Sequence, residues 1–309
     1  MKVNIIRGKN QIGGNIIEIS TEKTKILLDA GLELDGGNTL PDIRGLFDYA
    51  GYDAIFVSHY HSDHLGLVYR AHKGISVYMG EGCYKIVSAS DRYKKRESIT
   101  PKGFLRHRQK IVIGDITVTP FLCDHSAFDS YMLLCEAYGE SVLYTGDFRS
   151  NGRKPFEWLL NSLPRKVDKL ICEGTTLSRE GYVPQTETAL EEKASKLFSE
   201  TRGPVFVLQS SVNIDRIVTM YCAAKGRENG TSFPQGSVYG GNCSGGRGTY
   251  SKSAVRGRLC VHNESVHIRI HREIPAENRQ KRNSPKALCD VRQDFHAGLS
   301  EIPVRAYVL

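Results

Sequence analysis

The sequence predicts an α/β fold in which two sheets pack face to face with helices outside. Three observations predict it. Short apolar strands fall in two groups, one within residues 1–60 and one within 110–145. The histidine-rich run His59-Tyr60-His61-Ser62-Asp63-His64 follows directly on a strand of the first group. After Glu173 the pattern changes to strands alternating with helices. With two sheets so arranged, loops from both meet at one edge, and side chains on those loops share a site.

The first group comprises strands at 3–6, 15–20, 25–29 and 54–58, each a short run rich in Ile, Leu or Val. Gly13-Gly14 and Gly36-Gly37 punctuate them as turns. The second group covers 110–122, 130–135 and 141–145. Leu170-Ile171-Cys172 is a further apolar strand. Thr188-Ala189-Leu190-Glu191 has the spacing of a capping box and predicts a helix to about Glu200. Pro204 to Leu208 reads as a strand. Asn213 predicts the start of a helix with a buried stripe at Ile214, Ile217, Val218, Tyr221 and Cys222.

Composition sets the class. The chain has 309 residues, 40% hydrophobic and 25% charged, with room for about two domains. It contains no run of eighteen apolar residues and no signal-peptide core, so no membrane span is expected. Its eight cysteines form no Cys-x-x-Cys pair. That argues against a zinc ribbon or a disulfide framework and leaves the cytoplasm as the expected compartment. Residues 1–227 carry 30 Lys/Arg against 27 Asp/Glu, and residues 228–309 carry 12 against 7. The net charge of +8 is therefore mostly a property of the last part. Arg92-Tyr93-Lys94-Lys95-Arg96 is a basic run with an interleaved aromatic, either a nucleic-acid contact or a solvated helix face.

Chemistry concentrates in the histidine run. Three imidazoles and a carboxylate within six residues form a metal-ligand set, since imidazole nitrogen and carboxylate oxygen suit the same divalent ions. On a turn, alternate histidines can face one ion while Asp63 and His64 reach a second.

This run resembles the signature of the metallo-β-lactamase superfamily, and other segments resemble its motifs in order. They are Leu27-Leu28-Asp29-Ala30-Gly31, Cys123-Asp124-His125-Ser126 and Thr145-Gly146-Asp147-Phe148-Arg149. Cys172-Glu173-Gly174-Thr175-Thr176 is similar to the acidic motif that opens the β-CASP group of nucleic-acid-processing nucleases. The resemblance covers roughly residues 1 to 227. It implies a four-layer αββα metallo-β-lactamase domain over 1–180 and the beginning of an inserted β-CASP domain over 181–227. It also implies two zinc ions. His59, His61 and His125 would hold the first, Asp63 and His64 the second, and Asp147 would bridge them. The pair would activate a hydroxide for phosphodiester hydrolysis. Asp63, Asp147 and Glu173 are the implied catalytic carboxylates, and RNA or single-stranded nucleic acid the implied substrate. Asp29 either orients a ligand histidine, fixes the motif loop, or is simply a turn aspartate at a strand end. A small-molecule hydrolase of the same fold and an inactive metal- or nucleic-acid-binding remnant are the alternatives. The strand-helix continuation and Glu173-Gly174-Thr175 argue against the small-molecule hydrolase.

Residues 228–309 depart from this pattern. Leu, Ile, Val and Phe fall from 62 of the first 227 residues to 17 of the last 82. No partner histidine for Glu173 and no last ligand for the second metal is identifiable there. This segment reads as an atypical basic extension, poorly ordered, either a flexible basic tail or the result of truncation or loss of the reading frame after about residue 227.

Overall fold

The computed structural model describes residues 1–34, 40–175, 181, 183–201, 205–210 and 212–225. Beyond these it describes the short stretches 231–232, 255–256, 258–262, 265–270 and 306–308. The chain divides into two compact units, Met1–Thr188 with Val212–Asp215, and Ala189–Ser211 with Arg216–Leu309.

The first unit holds two sheets. One runs in sequence order through β1 (Lys2–Arg7), β2 (Ile16–Ser20), β3 (Lys25–Leu28), β4 (Ala54–Phe56), β5 (Ser76–Gly80) and β6 (Gly103–Leu105). Its first two pairings are antiparallel and the remaining three parallel. A single helical turn, α1 (Ser62–Leu65), follows β4. The other sheet comprises β7 (Ile111–Ile113), β8 (Ile116–Cys123), β9 (Ser130–Ala137), β10 (Glu140–Tyr144) and β11 (Lys169–Ile171). The sequence predicts one strand over 110–122. The structure breaks it at Gly114, whose φ of 55° makes the hairpin turn between β7 and β8.

Side-chain alternation makes the layers. Ile17, Ile19, Ile26, Leu28 and Phe56 from the first sheet pack against Ile116, Val118, Leu133, Cys135 and Val142 from the second. The intervening residues Ile16, Leu27, Ile55, Val77 and Met79 face the opposite way, towards Cys83 and Val87 of α2 (Glu81–Lys94). On the outer face of the second sheet, Phe121, Cys123, Met132, Leu134 and Leu143 cover Leu159 of α3 (Phe156–Ser162). The order is helix, sheet, sheet, helix, the expected αββα fold. Each wholly buried Leu, Ile or Phe at these faces contributes about 1.5–3 kcal/mol relative to exposure.

The second unit has its own core. Ala194 and Phe198 of α4 (Glu187–Glu200), Val205 and Val207 of β12 (Val205–Ser210), and Met220, Ala223 and Ala224 of α5 (Ile214–Lys225) pack together. Two features differ from the sequence expectation. Thr188 lies inside the first turn of α4 rather than before it, because the helix starts at Glu187, whose carboxylate is drawn into a buried ion cluster described below. The buried face of α5 centres on Met220, Ala223 and Ala224, and Val218 is 38% exposed. Two adjacent alanines present a flat surface that the larger Val218 and Tyr221 do not.

The expectation for 228–309 falls largely outside the described residues, as do Gly36-Gly37 and Thr176. The described stretches there form β13 (Thr231–Ser232), β14 (Val255–Arg256), β15 (Arg258–His262), β16 (Ser265–Ile270) and β17 (Ala306–Val308). The last three join β12 in the order β15-β16-β12-β17. Sequence pattern alone predicts no element in this segment. Among the described residues no helix is long and apolar enough to cross a membrane.

Candidate metal centre

The histidine run leaves β4 in extended conformation, with His61 at φ −63° and ψ 149°, and then closes α1. Three segments are stitched to it through the backbone. Ala30 N–H donates to His64 O at 2.8 Å, Leu32 N–H to Ser62 O at 2.9 Å, and Asn15 N–H to Asp63 O at 2.9 Å. Gly31 allows this closeness, since a Cβ there would lie 1.6 Å from Asp63 O. At the other side Gly146, with φ 54°, packs against Ser58. The turn is thus held by the β1–β2 loop, the end of β3 and the loop after β10.

Three imidazoles converge. His59 Nε2 and His125 Nε2 each lie 3.2 Å from His61 Nδ1, and the ligand-capable nitrogens of all three lie within 4.8 Å of one another. Burial, reinforced by the neighbouring imidazoles, lowers their pKa values. His61 falls to about 4, His125 to about 3, and His59 well below its ordinary value. All three are neutral at pH 7 and offer lone pairs, the form a metal requires.

His64 behaves differently. Burial opposes its charge, but Asp29 and Asp147 outweigh that cost and raise its pKa to about 10. Its Nδ1 lies 2.7 Å from Asp29 Oδ2 and its Nε2 3.3 Å from Asp147 Oδ1. Asp29 also accepts from Ser58 N–H, Ser58 Oγ and Tyr144 OH, each at 2.7 Å. It therefore orients a histidine and fixes the motif loop at once. Its φ of 61° is a left-handed conformation that Asp tolerates better than most residues.

The structure brings all six expected ligands to one edge, with two differences in grouping. His59, His64 and Asp147 offer atoms within 4.8 Å of one another, so His59 belongs to both clusters. Asp63 Oδ2 stands slightly apart, 3.6 Å from His64 Nε2. Asp147 reaches both sides, 3.3 Å from His64 Nε2 and 3.9 Å from His125 Nε2. A cluster of three neutral imidazoles and an imidazole–carboxylate cluster that shares His59 with it suit divalent ions. Glu173 accepts from Phe148 N–H at 2.7 Å, which ties it to the Asp147 loop. Burial raises its pKa, and the Asp147 charge adds to that.

Several positioning residues escape sequence reading. Tyr60, inside the run, donates to Val212 O at 2.8 Å and accepts from Phe128 N–H at 2.9 Å. Arg149 ion-pairs with Asp124, Glu187 and Asp215 at 3.0, 3.2 and 2.5 Å. These three carboxylates are 2%, 1% and 5% exposed. The cluster joins the loops that carry His125 and Asp147. Asn15 Nδ2 lies 3.3 Å from His64 Nε2. Its signal was the Gly-Gly turn followed by a polar residue at the start of an apolar strand. The basic run 92–96 is partly committed within the fold. Arg96 stacks 3.5 Å over the Tyr69 ring and pairs with buried Asp91.

Comparisons with known proteins follow the same lines. A model of the β-lactamase superfamily domain matches residues 24–208. The chain is 26% identical over 238 residues to ribonuclease J of Helicobacter pylori, covering 70% of this chain and 34% of that protein. It is 27% identical over 234 residues to an RNase J-like protein of Methanocaldococcus jannaschii, covering 69% and 53%. It is 25% identical over 310 residues to cleavage and polyadenylation specificity factor subunit 3 of Dictyostelium discoideum, covering 87% and 39%. The chain thus spans between 34% and 53% of the length of these curated relatives. Among solved structures, a protein of unknown function from Enterococcus faecalis shares the fold, with a TM-score of 0.62 and 22% identity over 75% of this chain and 64% of that one.

Proposed function

The chain belongs to the β-lactamase superfamily, and from that premise we propose that it is a metal-dependent phosphodiester hydrolase acting on RNA or single-stranded nucleic acid. One observation carries the reading. Three neutral imidazoles converge beside a second cluster of His64 and Asp147, at the edge where loops of both sheets meet. The names of the relatives, ribonuclease J among them, support the substrate class.

In this proposal His59, His61 and His125 would hold one zinc ion and Asp63 and His64 a second, with Asp147 available to both. Bound zinc would supply Lewis acidity towards a phosphoryl oxygen and a water of lowered pKa. The chain's own residues do the rest. Asp29 holds the Nδ1–H of His64 so that Nε2 faces the centre. Arg149 and Tyr60 keep the loops of His125 and Asp147 in register. Glu173, raised in pKa and anchored on Phe148 N–H, is the acid–base group. Asp63 and Asp147 orient the attacking group. A cytoplasmic location accords with this reading, since Cys83, Cys123, Cys135, Cys172 and Cys222 are free thiols.

The test offers the full chain a labelled single-stranded RNA, a duplex DNA, a lactone and a thioester, with and without chelator. Cleavage of RNA that stops with chelator and with Asp63→Asn is the expected result. Turnover of the lactone or thioester with both nucleic acids left intact overturns the substrate class.

A further inference from the structure

The position of Asn15 gives it a role that the histidine run does not reveal. Its backbone is fixed on both sides: its N–H donates to Asp63 O at 2.9 Å, and its carbonyl accepts from Gly31 N–H at 3.1 Å. Its Cα is therefore held at the end of the run. That amide lies 3.3 Å from His64 Nε2. The same ring nitrogen has Asp147 Oδ1 at 3.3 Å and Asp63 Oδ2 at 3.6 Å. Three side chains from three separate segments thus surround one imidazole nitrogen, and only two of them are acidic.

The chemistry of the amide decides what this means. An Asn side chain presents an oxygen with two lone pairs on one branch and an NH2 on the other. A half-turn about the last torsion exchanges them at nearly no cost in shape. With the oxygen turned in, the group around His64 Nε2 consists of one imidazole nitrogen and three oxygens. Four such donors suffice to hold a zinc ion, and a water can join as a fifth. Without Asn15 the described residues supply three to this position, His59 serving the three-imidazole cluster.

We propose that Asn15 is a ligand of the second metal position, its carboxamide oxygen acting as fourth donor beside Asp63, His64 and Asp147. The assignment rests on the metal-centre reading above and adds a residue to it. A neutral oxygen donor binds more weakly than a carboxylate. The second position therefore loads after the first and exchanges its ion more readily.

Metal uptake by the metal-free full chain tests this directly, with Zn2+ as the probe. Stoichiometry is measured by elemental analysis and affinity by calorimetric titration. The wild type should take up two ions, the second more weakly. Asn15→Ala should retain the first ion at wild-type affinity, which also shows that it folds, and bind the second at least about tenfold more weakly. Asn15→Asp should bind the second ion at least as tightly as the wild type. This variant carries the test should the alanine variant fail to fold. Unchanged second-site affinity in Asn15→Ala overturns the assignment, as does a second-site loss in Asn15→Asp or a wild type that holds one ion. A wild type that binds no ion at all instead sinks the metal-centre reading itself.

Discussion

Asp29 Oδ2 lies 2.7 Å from His64 Nδ1, with both side chains wholly buried. One carboxylate thereby decides which ring nitrogen of His64 faces the proposed metal centre. Asp29→Asn keeps the shape but removes the charge and replaces one of two oxygens, both of which accept hydrogen bonds, with an NH2 donor. It should lower affinity at the second metal position about 10–100-fold and leave the first nearly unchanged. Asp29→Ala removes the acceptor that His64 Nδ1, Ser58 and Tyr144 share, and should cost about 3–5 kcal/mol in stability by denaturant unfolding. Equal metal affinity in wild type and Asp29→Asn would contradict the orienting role.

The metal-free protein should be most stable near neutral pH. His64 has a folded pKa of about 10, above its unfolded value near 6.5. Its contribution is complete below 6.5 and disappears as pH rises through about 10. His61 at about 4 and His125 at about 3 are depressed. The unfolded chain therefore binds more protons than the folded one below 6.5, and stability falls as pH drops towards those values. Thermal melts from pH 4 to 10 should show both limbs. Saturating zinc should flatten the alkaline limb, since an ion on His64 Nε2 needs no proton there. A flat profile without metal would contradict the assigned states.

Arg149 concentrates three buried carboxylates on one guanidinium. Arg149→Ala leaves them facing each other, with Lys154 3.7 Å from Asp124, and should cost about 3–5 kcal/mol. Arg149→Lys keeps the charge but cannot satisfy three partners in a fixed fork, so it should fall between. Burial already raises the pKa of Asp215. Without the Arg149 charge beside them the three carboxylates take up protons more readily, so the deficit of Arg149→Ala should narrow from pH 7 to pH 5. A deficit that is constant across that range would show that lost packing, not lost charge, dominates.

The parts legible in the sequence were the local ones. His59, His61, Asp63 and His64 are contiguous, so their spacing on a turn already implied a shared site. The alternation of Ile16, Ile17 and Ile19, and of Leu27 and Leu28, already implied two faces of a buried strand. Partners set by long-range packing were not legible. Tyr144 reaches Asp29 across 115 residues and Asn15 reaches His64 across 49. Arg149 sits inside a recognised motif, yet its partners Glu187 and Asp215 lie 38 and 66 residues on. The start of α4 differs from the sequence expectation for the same reason. The capping-box spacing around Thr188 is a local signal, and the pull of Arg149 on Glu187 is not.

Gly31 separates steric closeness from backbone strain. A Cβ on Gly31 would sit 1.6 Å from Asp63 O and 2.8 Å from His64 N, both backbone atoms. The histidine turn must move to admit it. Gly139, in the β9–β10 hairpin, has φ +77°, and a Cβ there would meet nothing within 4 Å. Gly139→Ala therefore meets only the left-handed penalty, about 1–2 kcal/mol, and should leave zinc uptake unchanged. Gly31→Ala should cost about 3 kcal/mol or more and weaken chiefly the proposed second metal position, because Asp63 and His64 shift with their backbone. Measuring zinc stoichiometry and unfolding midpoints of the two variants side by side distinguishes the effects. Wild-type zinc affinity in a folded Gly31→Ala would show that the turn can yield without disturbing its ligands, contrary to this account.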